Sequence, residues 1–331
     1  MSGHLPARQQ SVVRDRDPEW AREFQEIMKA YALAGGNASD LENPQGAMAV
    51  ISSNRVLGVR EVPGLHIEAD ELEHGVRARI SVEPGTKVDV PVHLCFGVIP
   101  TEGLQEIISE YDIGDGAEVS FLAHCTFPNS ARVQHVMDAN IHIGEGATMK
   151  YSEAHYHGKE GGVEVLPTTH AKIDADGRLS SEFDLTVGRV GKLDINYEAD
   201  VGDRGIAELV ARAYGSGTDD IRVNEVVRLN GEGARGMTKT RIAVKDKARS
   251  AITTTAEGNA SGAVGHMDCT EIVRGDAIAQ NIPIVVVRDD QARVTHEAAI
   301  GSVNSKELET LMSRGLDEDE AVDIIIQGML A

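Results

Sequence analysis

The side chains able to do chemistry in this sequence are few and widely spaced. Cys95, Cys125 and Cys269 stand far apart with no CxxC pair, which argues against a disulfide framework and an ordinary zinc knuckle. His155 and His157 flank Tyr156, so on a strand both rings project from the face that carries Met149 and Tyr151. They are either a metal-binding pair or two hydrogen-bonded structural histidines, since no third ligand adjoins them in sequence. A third group gathers in the segments GHMDCTEIV and VTHEAAIG: His266, Cys269, His296 and Glu297. Iron accepts thiolate, imidazole and carboxylate, and a donor set poorer than four cysteines suits a metal group that is later given away. The same four residues also read as ordinary polar side chains at a surface.

Spacing ties these residues to a repeat. Cys95, Cys125 and His155 follow one another at steps of 30 residues, so units of that length would stack them as a ladder. Strand alternation places Cys125 inward with Val119 and Phe121, as either a small buried hydrophobe or a thiol in a protected channel, whereas Cys95 falls opposite Val92 and Leu94. Cys269 and Glu297 are 28 apart, which would set thiolate and carboxylate side by side on adjacent rungs.

The elements that must position them follow from the same period. The phrase apolar-Gly-acid-(Gly)-Ala recurs as IGDGAEV, IGEGATM, VGDRGIAEL and LNGEGARGM, with Gly116 and Gly146, then Gly205 and Gly233, about one unit apart. From the end of the linker to about Ile300 the chain carries short runs of alternating apolar residues, such as Val88, Val90, Val92 and Leu94, typical of strands with one buried face. A solenoid of short strands fits, although an antiparallel meander would give a similar pattern. Before it, residues 17 to 34 read as a helix capped by Asp17, with Trp20, Phe24, Ile27 and Tyr31 on one face, followed by a polar linker to Gln45. After it come two helices. The first has Leu308, Leu311 and Met312 as its apolar face, Glu307 for a capping box and Arg314-Gly315 as its end; the second is capped by Asp317 and carries Ile324 and Ile325. The division is therefore 1–45 helical segment and linker, 46–303 strand-rich core, and 304–331 helical region.

Composition narrows the function. A chain of 331 residues with 41% hydrophobic content can bury a sizeable core. Its formal net charge of −21 disfavours nucleic acid and anionic lipid as partners. No apolar run of about eighteen residues occurs and the opening MSGHLPARQQ has no apolar stretch, so the expected location is the cytoplasm, without membrane contact. Gly231, Gly233 and Gly236 match GxGxxG, but the strand-like MTKTRIAVK follows instead of a helix, and no P-loop sequence is present. Any ATP hydrolysis then belongs to a partner.

The last stretch, THEAAIGSVNSKELETLMSRGLDEDEAVDIIIQGML, resembles the end of the SufB/SufD family, and CTEIVRGDAIAQNIPIVVVRDDQARVTHEA and FLAHCTFPNSARVQHVMDANIHIGEGATMKYSEAHYH also resemble SufB. The likeness covers roughly residues 85 to 331, and the short chain resembles the minimal SufB-like forms called SmsB. It implies a mainly β fold, a right-handed parallel β-helix with helical ends, acting as an iron-sulfur cluster assembly scaffold and not as an enzyme. It implies dimerisation through the last rungs, with itself or a SufD-like paralogue, and docking of a SufC-like ABC ATPase on the C-terminal helices through Leu308, Leu311, Met312, Arg314, Gly315, Ile324 and Ile325. Cys269 matches the cysteine that assembles the cluster, Glu297 the acid beside it, and His296 the histidine before that acid. Cys125 matches the cysteine that first accepts sulfur, with His155 and His157 where the SufB sulfur path has a Gln and a Trp; Thr295 stands where SufB has an acid. The cargo would be a transient [4Fe-4S] or [2Fe-2S] cluster, built with a sulfur donor and passed to apo iron-sulfur proteins. The rival readings are an ATPase adaptor without metal and a β-helix enzyme acting on polysaccharide, the latter at odds with an aromatic content of 4%.

Overall fold

A computed structural model describes residues 18–42 and 46–330. Among them, strand alternation closes on itself as a parallel β-helix. One sheet stacks β1 (Met48–Ser52), β5 (Val92–Gly97), β7 (Glu118–Phe127), β9 (Thr148–His157), β11 (Arg178–Val187), β13 (Ile206–Gly215), β15 (Arg235–Val244), β17 (Val264–Val273) and β19 (Arg293–Gly301). The other stacks β4 (Gly75–Val82), β6 (Glu102–Ile113), β8 (Arg132–Ile143), β10 (Val163–Ile173), β12 (Lys192–Val201), β14 (Asp220–Leu229), β16 (Arg249–Gly258) and β18 (Ile278–Val287). Each turn takes one strand from each sheet, and every second side chain points into the space between them. Along β12, for instance, Leu193, Ile195, Tyr197, Ala199 and Val201 are buried while the residues between them are half exposed.

The repeated acidic Gly phrase forms the corner between sheets. Gly116, Gly146 and Gly233 hold φ of 66°, 65° and 66°, where a side chain costs energy. The N–H of each corner residue donates to a carbonyl of the next corner, Gly116 to Glu145 at 2.8 Å and Gly146 to Ala175 at 2.9 Å, so the corners stack like the strands. One expectation shifts here: the corner residue is Arg204 (φ 55°), not Gly205. Its strain, roughly 1 kcal/mol for an L residue, is offset by a two-pronged hydrogen bond from its guanidinium to Asp176 at 2.9 and 2.6 Å. A second shift concerns Val88 and Val90: the strand begins only at Val92, after Pro91, which has no N–H to give a sheet.

The two ends differ. At the first, β2 (Arg55–Arg60) and β3 (Leu65–Glu71) pair antiparallel with β1 and β4, and Val56, Val59 and Val62 pack onto the core. Helix α1 (Pro18–Leu33) lies on the outer sheet face, with Ile27, Met28 and Tyr31 against Leu41 of α2 (Ala38–Glu42), Met48, Val50, Leu57 and Cys95. The Asp17 cap and the Trp20 side chain fall outside the described residues, as does the linker at 43–45. At the far end, no described residue adds a further turn over β18 and β19, leaving Ile278, Ile282, Ile284, Val285, Val287 and Ile300 exposed among the described residues.

Helices α3 (Ser305–Met312) and α4 (Glu318–Leu330) close the chain. Asn304 caps α3 by accepting from the N–H of Lys306 and Glu307. The reciprocal capping box forms at α4, where Asp317 accepts from the Glu320 N–H at 2.8 Å and Glu320 from the Asp317 N–H at 3.2 Å. Val322, Ile326 and Leu330 of α4 pack on Ala243, Tyr214 and Ile272, so the inner face of this helix is theirs and not that of Ile324, which is 46% exposed. Asp323 fastens the helix by accepting from Tyr214 Oη at 2.5 Å and Lys245 Nζ at 2.9 Å.

Candidate functional site

The first constellation lies inside the solenoid where β7 meets β9. Their register pairs Ala123 with Glu153, Cys125 with His155 and Phe127 with His157. Paired residues of parallel strands face the same way, so Cys125 and His155 share the core. Glu153 completes the group. Its Oε1 lies 2.5 Å from His155 Nε2 and 4.0 Å from Cys125 Sγ, and its Oε2 accepts from Tyr151 Oη at 2.9 Å. Ligand atoms of Cys125, Glu153 and His155 all lie within 4.8 Å of one another, and all three residues are buried. The residue list drawn from sequence omits Glu153, yet its parity with Met149, Tyr151, His155 and His157 was the signal: an acid on the inward phase of a strand.

Aromatic rings wall this site. His155 lies 4.7 Å from Phe183 between ring centroids, and His135 of β8 lies 4.9 Å from Phe127. His157 uses Nδ1 to bond the carbonyl oxygen of Arg189 at 2.9 Å. Burial, with Glu153 and Cys95 adding to it, pushes the Cys125 thiol well up. Burial and then neighbouring His155 push His157 down to about 3 and His135 well below the usual histidine range, so both rings are neutral. Cys95 does not join this group. It pairs with His124 while Phe96 pairs with Cys125, and it faces α1 on the outside of the sheet.

The second constellation surrounds Cys269 and draws on both sheets. Thr240 of β15 pairs with Cys269, and Thr254 Oγ1 of β16 lies 3.6 Å from its sulfur. Thr240 Oγ1 donates to Glu225 Oε2 at 2.8 Å, and Ser250 Oγ donates to Glu271. Burial raises both carboxyls from 4.5 to about 7. Burial also raises the Cys269 thiol, opposed by hydrogen bonds from Thr254, Thr240 and Asn281. Glu225 and Glu271 each interrupt an inward apolar series, which is how sequence alone could have revealed them.

Register corrects the expected partnership of Cys269 with Glu297. Strand β19 lies on β17 with a step of 29 residues, so Cys269 pairs with Ala298 and Glu297 pairs with Asp268 on the outer face. Within one chain, thiol and carboxylate therefore stand on opposite sides of the sheet. His296 pairs with Met267 and takes the Cys269 side, while His266 Nδ1 meets Thr295 Oγ1 at 2.9 Å outside.

Five rung steps separate β7 from β17, about 24 Å at roughly 4.8 Å per step. Tyr197 of β12 stands between the constellations: burial raises its phenol, and the charges of Glu153 and then Glu225 raise it further. The C-terminal residues form a separate patch. Met312, Arg314, Gly315 and Ile324 are exposed, Leu311 and Ile325 half-buried, and Leu308 packs toward α4. Among the described residues, no helix is long and apolar enough to cross a membrane.

Residues 110–329 match the family described as SUF system FeS cluster assembly, SufBD core domain. An iron-sulfur cluster assembly SufBD family protein of Methanocaldococcus jannaschii is 41% identical over 309 residues, 93% of this chain and 98% of that protein. A Pyrococcus horikoshii protein of the same description is 34% identical over 93% of this chain and 94% of its own length. A second from Pyrococcus horikoshii is 29% identical over 75% of this chain and 56% of itself. With one β-helix enclosing both cysteine constellations and these likenesses spanning it, the chain belongs to the SufBD family of iron-sulfur cluster assembly proteins.

Proposed function

We propose that this chain is a scaffold on which iron-sulfur clusters are assembled de novo, and that Cys125 and Cys269 are the two ends of its sulfur route. The observation that carries the reading is that both thiols face one closed core, with Tyr197, Glu225, Thr240 and Thr254 as polar groups between them. The thiolate of Cys125 attacks the outer sulfur of a donor persulfide, the donor thiolate leaves, and Cys125 becomes the persulfide. Because no thiol stands along the intervening 24 Å or so, sulfur leaves as a small species: one proton and two electrons from an external reductant convert the persulfide to thiolate and HS⁻. At Cys269 that sulfide meets iron.

Cluster assembly takes place where two copies join through their uncovered last turns, which brings two Cys269 residues and two copies of His296 and Glu297 toward one axis. The outward position of Glu297 is a hindrance inside one chain and an advantage across such an interface. A SufC-like ATPase docks on the exposed patch of Met312, Arg314, Gly315 and Ile324 and supplies ATP hydrolysis, the scaffold itself being no enzyme. The setting is the cytoplasm. An adaptor role without metal remains the second reading, because burial keeps all three cysteines in their inert thiol form.

The test is iron and acid-labile sulfide bound after anaerobic co-expression with the ATPase. Cys269→Ala is expected to abolish both and Cys125→Ala to lower them when sulfur comes from a persulfide donor. Native-level cluster in Cys269→Ala overturns the site, and none in the native chain favours the adaptor.

A further inference from the structure

We propose that Cys125, Glu153 and His155 form a binding site for a single divalent transition-metal ion, with His157 the nearest supplier of a fourth ligand. The site goes beyond the sulfur route and does not rest on it.

The donor set suits such an ion. A thiol, a carboxylate and an imidazole with ligand atoms within 4.8 Å need shifts of only an ångström or so to reach metal bonds of about 2.0 to 2.3 Å. Sulfur and nitrogen donors select zinc, iron or cobalt over magnesium and calcium.

The surrounding histidines leave ring nitrogens unpaired. His157 bonds two carbonyl oxygens through Nδ1, Arg189 at 2.9 Å and Val190 at 3.3 Å, so Nδ1 carries the proton and Nε2 is a bare lone pair. That Nε2 is buried without a partner, as are Nδ1 of His155 and both nitrogens of His135. An unmatched buried polar atom destabilises the fold, and four imidazole nitrogens in one place are hard to reconcile with a purely structural core. A backbone carbonyl holding the far nitrogen is also how metal-ligating histidines are usually oriented. The His155 and His157 ring centroids lie 5.7 Å apart. Two imidazoles on one tetrahedral ion stand about 5 Å apart, given a metal–nitrogen bond of about 2.1 Å.

Charge favours a cation as well. The site is closed by Phe127 and Phe183 and holds the buried carboxyl group of Glu153. A divalent cation there compensates the negative charge of a thiolate and a carboxylate, which apolar walls alone do not.

Cobalt(II) is the probe. The full chain is produced in cobalt-supplemented minimal medium, so that the buried site loads during folding, and purified without oxygen. The native chain is expected to retain about one cobalt and to show thiolate-to-cobalt charge-transfer absorption. The double variant Cys95→Ala/Cys269→Ala, in which Cys125 is the remaining thiol of three, is expected to keep that absorption and one sulfur in the X-ray absorption shell. Cys125→Ser loses the band, and Glu153→Gln lowers cobalt affinity by at least about tenfold. No thiolate band in either the native chain or the double variant overturns the proposal, as does an unchanged band in Cys125→Ser. Failure of the cluster assay with Cys269→Ala leaves these results untouched, so the two readings stand or fall separately.

Discussion

Glu225→Gln isolates the energetic consequence of a carboxyl placed in the solenoid core. Glu225 is fully buried, accepts one hydrogen bond from Thr240 and has its second oxygen unpartnered. Burial raises it from 4.5 to about 7. A raised acid binds its proton more tightly in the folded chain than in the unfolded one, so native stability is unaffected below the unfolded value, falls as pH rises between the two, and levels off above the folded value. The penalty works out at about 1 kcal/mol at pH 5 and about 3 kcal/mol at pH 8.5. Glutamine has the same shape but does not titrate. Its amide brings a constant offset of its own, so the informative quantity is the change between the two pH values. Urea unfolding of both chains at pH 5 and pH 8.5 is expected to show the variant gaining about 2 kcal/mol on the native protein over that interval. An equal difference at both pH values would refute the reasoning.

Two further outcomes are expected. Asp323→Asn loosens α4: burial raises this carboxyl, but hydrogen bonds from Tyr214 and Lys245 outweigh it and hold Asp323 below the usual carboxylate range. Its contribution is present above the unfolded value and lost as pH falls through the folded one; amide hydrogen exchange across 318–330 should quicken in the variant at neutral pH, and in the native chain only on acidification. Ile282→Glu, at a position 41% exposed on β18, should change folding stability by no more than about 0.5 kcal/mol yet shift any self-association toward monomer in analytical ultracentrifugation.

The match between Cys125 and His155 was legible because their spacing of 30 equals the local rung step, so neither the stacking nor the facing is disturbed. The same arithmetic misleads elsewhere. Cys95 and Cys125 are also 30 apart, but that rung steps by 29, and Glu297 follows Cys269 by 28 where the rung again steps by 29. One residue of slip turns a side chain to the opposite face, and a repeat read from turn glycines is not accurate to one residue. The helix cap at Asp317 was readable because capping is local. The Thr240, Thr254 and Cys269 cluster was not, since two of its members come from one sheet and one from the other, and no spacing along the chain fixes how facing sheets align.

The unlike ends of the solenoid give the molecule a direction. At one end β2 and β3 turn antiparallel and carry Arg55, Arg60, Glu68, Asp70 and Glu71, charges of the kind that discourage another strand from adding. At the other, β18 and β19 leave backbone and aliphatic side chains uncovered. Were two copies to join through the uncovered end, as in the proposed assembly, the described strands at the blunt ends would offer a third copy no edge that readily extends. The proposed association through the uncovered turn would thereby end at two copies, with no separate device needed to terminate it.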